Sequence, residues 1–342
     1  MIGKTILSQY FTDSDAFHIQ AFGNGLIHKT FTVSQSSDPD FILQEINTAV
    51  FKSPKDIASN LEALSSFLLA QGRDVFFPSP IPTLEGAPYA TEAGVYFRLT
   101  PFVKGTHTVD TCTTVDQAYE AALQFGKFTA AFKGMDVSAL KPTIPRFHDL
   151  AFRWEQFCEA MKKGDSLRIN HASIQIRQIE ADYSIVSRYQ AILSSSDFLQ
   201  RVTHHDTKIN NVLLNADGKG VCVIDLDTVM SGLLISDLGD MFRTYLSPGN
   251  EEEIELSKVF VRPGFHAAII EGYLENMRDQ LHQEELEAIN YAGEFMIYMQ
   301  ALRFLTDYLM GDQYYGIRYP LNNFNRTVNQ LTLLDQYKAV TR

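Results

Sequence analysis

Four polar residues near the middle of the chain have a spacing that suits phosphoryl transfer. The pattern H-x-D-x-K-x-x-N is formed by His204, Asp206, Lys208 and Asn211. In catalytic loops with this pattern, the aspartate accepts the proton of the attacking hydroxyl and the asparagine binds Mg²⁺. We therefore interpret Asp206 as the catalytic base and Lys208 as the residue that meets the transferring phosphate. We interpret His204 as a brace for the loop.

A second carboxylate follows in a predicted β-hairpin. Residues 211–225 contain two strand-like segments around a turn centred on Gly218. If the hairpin is symmetric about this turn, Asn211 faces Asp225, and paired side chains lie about 5 Å apart. The two would then bind one Mg²⁺, which favours oxygen ligands and keeps neighbouring carboxylates ionised. Asp227 is a candidate for a second metal position. The alternative is an ordinary hairpin whose polar residues cap turns.

The chain resembles a known family at these and other blocks of residues. The blocks are FHD at 147–149 with Arg153, HHDTKINNVLL, VIDLDTVMSG, RFLTDYL at 303–309 and NFNR at 323–326. They resemble the aminoglycoside phosphotransferase and choline kinase group, and within it most closely the N-acetylhexosamine 1-kinases. The resemblance covers nearly the whole chain. It implies ATP and Mg²⁺ as cofactors and the anomeric hydroxyl of an N-acetylhexosamine as the acceptor.

The same resemblance implies an α+β, two-lobed protein-kinase-like fold. Residues 1–103 would form a small antiparallel-sheet lobe that binds the nucleotide. Residues 104–342 would form a larger, mostly helical lobe with the catalytic loop, the metal site and the acceptor site. Strand-like alternation early in the chain and helical spacing after residue 114 agree with this division. Further helices are predicted over 174–193, 251–280 and 284–310.

The glycine turn Gly23-Asn24-Gly25 is the first candidate for a nucleotide contact. Backbone N–H groups in such a turn can approach phosphate oxygens closely, but the same residues also suit an ordinary hairpin turn. Pro101 and Val103 lie in the predicted crossing between the lobes, where backbone groups would bind adenine. These residues predict a nucleotide site between the two lobes.

The third predicted strand differs from that of protein kinases at the position of the phosphate-binding lysine. Gln44 lies where this lysine is expected, so another cation is needed for the α- and β-phosphates. Lys29 and Lys52 are the candidate substitutes. The missing lysine leaves a non-catalytic pseudokinase as one alternative, whereas the complete set of catalytic and metal residues favours an enzyme.

The acceptor site is predicted from residues on both sides of the catalytic loop. Arg303 can bond two sugar hydroxyls or a phosphate through its fork of N–H groups, or pair with Asp307 one helical turn later. His148 and Arg153 either contact the sugar or stabilise a helix start. A wall of the site is predicted from Tyr314, Tyr315 and Arg318. The excess of arginine over acid suits neutral hydroxyls, while another sugar, an amino alcohol or an aminoglycoside is the alternative acceptor.

Composition restricts the class of protein. The net charge of -12 at pH 7 argues against a nucleic-acid partner, for which a basic face is expected. The sequence has neither a signal-peptide pattern nor a run of about 18 apolar residues, which predicts a cytoplasmic protein without a membrane partner. The three cysteines lack metal-ligand spacing and are predicted to be reduced. The expected partners are a nucleotide and a small sugar, and the oligomeric state is left open.

Overall fold

The computed structural model describes residues 4–23, 27–73 and 75–341. Its first part contains two helices, α1 (Lys4–Leu7) and α2 (Pro54–Gln71), and five strands: β1 (His18–Ala21), β2 (Lys29–Ser34), β3 (Phe41–Glu45), β4 (Ala90–Glu92) and β5 (Val95–Pro101). The strands form one antiparallel sheet with the order β1-β2-β3-β5-β4. The predicted antiparallel-sheet lobe is therefore present.

The two faces of this sheet differ because side chains alternate along each strand. On one face Val33, Leu43 and Leu99 are buried in a small core with residues of α1. The phenolic group of Tyr10 donates a hydrogen bond to Phe97 O at 2.8 Å and closes this core. The opposite face carries a row of paired polar residues across β2, β3 and β5, namely Thr30, Gln44 and Arg98.

Helix α2 connects the sheet to the second lobe. It begins at Pro54 and is followed by Gly72, whose φ of +59° is a left-handed conformation that glycine adopts without strain. Its apolar stripe is buried in the large core of the molecule and consists of Ile57, Leu61, Leu64 and Leu68. Burial of one such side chain contributes about 1.5–3 kcal/mol, so the stripe holds α2 against the helical lobe.

The rest of the chain is mostly helical. Its helices are α3 (Val115–Ala131), α4 (Leu150–Lys163), α5 (Ser166–His171), α6 (Ser173–Ala181), α7 (Ser184–Leu193), α8 (Leu234–Tyr245), α9 (Phe265–Met277), α10 (Gln283–Glu287), α11 (Ile289–Leu309) and α12 (Asn322–Thr341). Its strands are β6 (Thr106–His107), β7 (Arg201–Thr203), β8 (Val212–Asn215), β9 (Gly220–Val223) and β10 (Met230–Gly232). They form a three-stranded sheet, β6-β8-β9, and a two-stranded sheet, β10-β7. The short sheets carry the loops that reach the cleft between the lobes.

Helices α3 and α9 pack closely against each other in the second lobe. A Cβ atom on Gly126 of α3 would lie 2.5 Å from Tyr273 O, and one on Gly272 of α9 would lie 2.4 Å from Tyr119 O. Both positions therefore require glycine for the two backbones to approach. This contact supports the face of α3 that packs beneath the catalytic loop.

Three predicted helices are interrupted in the structure, one of them being 284–310, which is divided at Ala288 into α10 and α11. Residues 174–193 form parts of two helices, α6 and α7, rather than one. The prediction of a helix from 251 to 280 was wrong, because α9 begins only at Phe265. Pro263 disfavours a helical conformation in the residue before it, and Gly264 has a left-handed φ of +82°. The intervening residues form turns, irregular segments and a short 3₁₀ helix, Leu256–Lys258.

The helices and the three cysteines bear on two further expectations from the sequence. Within residues 4–23, 27–73 and 75–341, every helix is too short or too polar to cross a membrane. Cys112 and Cys222 are buried, Cys158 is partly exposed, and all three are free thiols.

Candidate active site

A cleft of about 620 Å³ separates the sheet from the helical lobe. Both lobes line it. The second lobe contributes the polar residues that the sequence singled out, Asp206, Lys208, Asn211 and Asp225. The cleft therefore brings the predicted catalytic and metal residues to one place.

The backbone of the catalytic loop is held by two aspartates of α8. Asp237 accepts hydrogen bonds from the N–H groups of His204 and His205 at 3.0 and 2.8 Å. Asp240 accepts one from the N–H of Thr207 at 2.9 Å. Burial raises the pKa of Asp237 to about 7, while the two N–H groups act in the opposite direction. Two carboxylates of α8 therefore hold the backbone of the catalytic loop.

His204 connects the loop to the hairpin. The N–H of Asp206 donates to Nδ1 of His204 at 3.4 Å, so Nε2 carries the proton and donates to Ile224 O at 3.0 Å. The ring packs edge-on against Phe125 and Phe128 of α3. Burial lowers its pKa and keeps the imidazole neutral. His204 therefore ties the backbone of the loop to the hairpin.

Asp206 and Lys208 form an ion pair inside the cleft. Lys208 Nζ lies 3.2 Å from Asp206 Oδ1. Burial acts to raise the pKa of Asp206, but the charge and hydrogen bond of Lys208 together with other neighbouring groups lower the pKa. The carboxylate in turn raises the pKa of Lys208. Asp206 is therefore ionised and able to accept a proton.

The hairpin register differs from the symmetric prediction by one residue. Ile224 N donates to Asn211 O at 2.9 Å, so Ile224, and not Asp225, lies opposite Asn211. The turn is centred at Asp217 rather than Gly218, because Asn215 N donates to Lys219 O, and an irregularity between Leu213 and Leu214 then shifts the outer pairs by one residue. Asp225 still enters the cleft because its backbone adopts a left-handed conformation with φ +59°. The register prediction was wrong, although both side chains reach the same cleft.

Asn211 and Asp225 offer oxygens that suit a divalent cation. The amide nitrogen of Asn211 donates to Asp206 O at 2.9 Å, which leaves its amide oxygen as the potential ligand. Burial, followed by the charges of Asp227 and Asp206, raises the pKa of Asp225 to about 6. A cation between such carboxylates removes this repulsion, so the donor set fits Mg²⁺.

Asp227 is engaged by other side chains rather than by the cleft. Arg98 donates to both carboxylate oxygens, at 3.1 Å for Nη2 to Oδ2, and His28 Nε2 lies 2.6 Å from Oδ2. His28 Nδ1 accepts the N–H of Asn47 at 3.0 Å, which places the imidazole proton on Nε2. Asp227, Asp225 and His28 also offer ligand atoms within 4.8 Å of one another, so a metal role for Asp227 stays a prediction.

The predicted nucleotide contacts are only partly within the described residues. Gly23, Pro101 and Val103 line the cleft, and Gly23 has a φ of +70°. Asn24 and Gly25 lie outside the described residues. The inter-lobe crossing is thus in place beside the cleft.

The two lysines proposed as substitutes lie elsewhere. Lys29 Nζ bonds to Glu45 Oε1 at 2.8 Å. Both residues belong to the sheet face opposite Gln44, because neighbouring side chains in a strand point to opposite faces. Lys52 is exposed and, like Lys29, does not line the cleft. Arg98, which does line the cleft, was not among the predicted nucleotide contacts. The available sequence signal was a basic residue in β5 on the same sheet face as Gln44.

Arg303, a residue of α11, lies between the aromatic rings of two residues outside this helix. Its guanidinium carbon is 5.5 Å from the ring centres of both Phe147 and Tyr315, and Nη1 donates to Gln300 Oε1 at 3.1 Å. It does not pair with Asp307. That carboxylate instead accepts the N–H groups of two loop residues at 2.8 Å, Tyr314 and Tyr315, and bonds to the side chain of Asn323.

His148 and Arg153 form a basic cluster with Arg303. Arg153 donates to Phe147 O at 3.0 Å and to other neutral oxygens, and burial followed by the charge of Arg303 lowers its pKa to about 10. Burial, with His205 and Arg303, lowers the pKa of His148, whose Nδ1 has no partner within the described part of the chain. In that same part, neither arginine has a carboxylate within 4.0 Å.

The basic cluster adjoins the catalytic loop. The rings of His148 and His205 are 5.2 Å apart, and His205 precedes Asp206 in the chain. Tyr314 packs edge-on against Tyr315 at 4.9 Å, and both Tyr314 and Arg318 are exposed. The structure thus brings Arg303, His148 and Arg153 together, while Arg318 remains at the surface.

A cleft between an antiparallel sheet and a helical lobe, with a braced aspartate loop on its floor, defines the class of kinase-like phosphotransferases. A family model described as the phosphotransferase enzyme family, APH, matches residues 18–282. The chain belongs to this family.

Solved structures are similar over nearly the whole chain. An aminoglycoside phosphotransferase from Alicyclobacillus acidocaldarius is 13% identical with a TM-score of 0.64, covering 99% of this chain and 96% of its own. A microcompartment-associated aminopropanol kinase is 18% identical with a TM-score of 0.60, covering 98% and 96%. An AMP-bound spectinomycin phosphotransferase is 14% identical with a TM-score of 0.60, covering 98% and 97%. The two-lobed protein-kinase-like fold is confirmed.

Proposed function

We propose that the protein transfers the γ-phosphoryl group of ATP to the anomeric hydroxyl of an N-acetylhexosamine and releases the sugar 1-phosphate and ADP. The observation that carries the acceptor assignment is the basic cluster of His148, Arg153 and Arg303. The family assignment supports phosphoryl transfer, and the resemblance of the sequence blocks to N-acetylhexosamine 1-kinases supports the sugar.

The catalytic loop is suited to direct transfer. The acceptor oxygen bonds to the γ-phosphorus, the bond from that phosphorus to the β,γ-bridging oxygen breaks, and the acceptor proton passes to Asp206. Lys208, which is charged and 3.2 Å from Asp206, lies where it can stabilise negative charge on the transferred group. Transfer therefore proceeds by positioning and charge neutralisation, without a covalent enzyme intermediate.

The metal role belongs to Asn211 and Asp225. Bound Mg²⁺ would neutralise phosphate charge at these residues. Asn211 also ties the loop by its bond to Asp206 O, so one side chain orients the base and offers a ligand oxygen.

The charge of the acceptor side favours a neutral sugar over an amine. A guanidinium presents several N–H donors in a plane and bonds well to hydroxyl and acetamido carbonyl oxygens. A protonated amine such as aminopropanol would meet like charges from Arg153 and Arg303. An N-acetylhexosamine has no cationic group, and its anomeric hydroxyl is more acidic than the others, which suits a carboxylate base.

Phosphorus NMR of the product tests this function. The purified protein is incubated with ATP, Mg²⁺ and one acceptor from a panel of N-acetylglucosamine, N-acetylgalactosamine, ethanolamine and an aminoglycoside. Turnover of an N-acetylhexosamine with phosphate on the anomeric carbon is expected. Phosphate on another carbon, or turnover of another acceptor only, would overturn the sugar 1-kinase assignment. Asp206→Asn serves as the inactive control.

A further inference from the structure

The buried ion pair between Arg98 and Asp227 joins the two lobes at the cleft. Arg98 lies on β5 and is 5% exposed, whereas Asp227 follows the hairpin and is fully buried. Arg98 also donates from Nη2 to Gln44 Oε1 at 2.7 Å. Arg98 and Gln44 both line the cleft. A charged side chain is thus fixed at the position where the sheet meets the metal-binding segment.

The register of the sheet gives this arginine the place of the missing lysine. Gln44 of β3 pairs directly with Arg98 of β5, and both side chains are on the cleft face. Directly paired residues are close neighbours across a sheet. A guanidinium bonded to Gln44 therefore occupies nearly the same region as a lysine side chain at position 44. The positive charge is present, but on the adjacent strand.

The carboxylate that pairs with this positive charge also comes from a different element than in protein kinases. In protein kinases the lysine of the third strand pairs with a glutamate of the following helix. Helix α2 has only two acids, of which Glu62 is exposed, and its buried polar residue Asn60 bonds to backbone atoms of Lys141 and Val229. The carboxylate that faces Arg98 comes instead from Asp227. Arginine and aspartate together replace lysine and glutamate.

Arg98 also keeps a donor for a ligand. Its Nε–H is buried and has no hydrogen-bond partner among the residues that the structure describes. Buried donors in folded proteins are rarely left unsatisfied, and phosphate oxygens are strong acceptors for guanidinium groups. His28 and Gln44 hold the ion pair from either side, so the guanidinium is oriented before a ligand enters.

We infer that Arg98 binds the α- or β-phosphate of the nucleotide, and that Asp227 positions it through their ion pair. This inference rests on the proposed use of ATP, but not on the identity of the sugar. Because Asp227 lies two residues after Asp225, the same ion pair ties the metal-binding segment to the sheet. Arg98 acts on the nucleotide itself, and Asp227 is a positioning residue.

Binding of ADP and adenosine to Arg98→Met, measured by calorimetry without acceptor, tests the inference. Adenosine lacks phosphates, so a phosphate contact affects only ADP. We expect the Kd for ADP to rise at least about tenfold and the Kd for adenosine to change less than about threefold. Arg98→Lys should restore part of the ADP affinity. Asp227→Asn should weaken ADP binding less, and its effect should not add to that of Arg98→Met.

A matched control separates phosphate binding from stability. Arg201 forms a buried bidentate pair with Glu285 outside the cleft, with side-chain exposures of 11% and 0% against 7% and 1% for Arg98 and Asp227. Arg201→Met should lower the melting temperature but leave the ratio of the two Kd values unchanged.

Three outcomes decide the inference. If the Kd values for ADP and for adenosine rise by the same factor in Arg98→Met and in Arg98→Lys, Arg98 has only a structural role. If the ratio of the Kd for ADP to the Kd for adenosine changes in Lys29→Met but not in the Arg98 variants, Lys29 is the residue that binds the nucleotide phosphate. Failure of the wild-type protein to bind ADP would instead overturn the proposed function, whereas a wrong sugar assignment leaves this assay unaffected.

Discussion

The imidazole of His204 donates a hydrogen bond to the carbonyl oxygen of Ile224, 20 residues further along the chain. Ile224 immediately precedes Asp225, so this bond connects the loop that carries the base with the segment that carries the metal carboxylate. The two parts of the proposed site are therefore directly connected.

Replacement of Asp225 by asparagine tests the metal assignment. The variant removes one formal charge from the proposed Mg²⁺ site, and turnover should fall at least about a hundredfold through lost electrostatic stabilisation. Initial rates across a Mg²⁺ titration provide the measurement. Wild-type rates at limiting Mg²⁺ would exclude Asp225 as a metal ligand.

Asp206→Asn tests the base. The variant cannot accept the acceptor proton, so most turnover should be lost while ADP affinity stays close to that of the wild type. Single-turnover kinetics and calorimetry measure the two quantities separately. An effect confined to ADP affinity would move Asp206 from the acceptor to the nucleotide. Lys208→Ala should lower turnover with an unchanged far-UV spectrum.

Arg303→Ala tests the acceptor side. Loss of the guanidinium between Phe147 and Tyr315 should raise the KM for the sugar much more than the KM for ATP. The control is Arg188→Ala, which removes an arginine that lies over the ring of Tyr291, 4.6 Å from its centre and outside the cleft. Equal changes in both KM values would remove Arg303 from the sugar site.

The buried His205 predicts a decrease of stability in acid. Its Nδ1 donates to Thr203 O, and burial lowers its pKa from 6.5 to about 4. The unfolded chain therefore binds a proton between pH 6.5 and 4 that the folded protein does not. The free energy of unfolding should fall over this window as pH is lowered, by about 3 kcal/mol from this residue.

Urea unfolding at several pH values measures this effect. His205→Asn, which tolerates the positive φ of this position, should reduce the slope of stability against pH. His18→Asn at an exposed position is the control and should leave the slope unchanged. A slope in His205→Asn equal to that of the wild type would contradict the prediction.

Local sequence information was sufficient for the catalytic loop and for most helices. The spacing of Asp206 and Asn211 reflects one short segment, and the stripe of α2 follows from helical periodicity alone. The hairpin register was not predictable in this way, because the position of the turn and the irregularity between Leu213 and Leu214 together set the pairing. The helix-breaking pair Pro263-Gly264 before α9 was present in the sequence. The prediction of one helix over 251–280 gave more weight to the apparent helical periodicity of this segment.

Long-range pairs were the main omission. Arg98 and Asp227 are 129 residues apart, and no local pattern relates them. The basic cluster likewise combines residues 148 and 153, at the start of α4, with α11. Such contacts depend on how the lobes pack, so the sequence supplied candidates without their partners.

Asp307 holds the loop after α11 by the backbone N–H groups of Tyr314 and Tyr315, not by their rings. Substitution of either ring therefore leaves both hydrogen bonds in place. In the proposed acceptor site, selection can then alter the side chains that face a substrate while the main chain keeps its course. Related enzymes could diverge in acceptor through single substitutions at these two positions, without first acquiring a compensating change elsewhere in the loop.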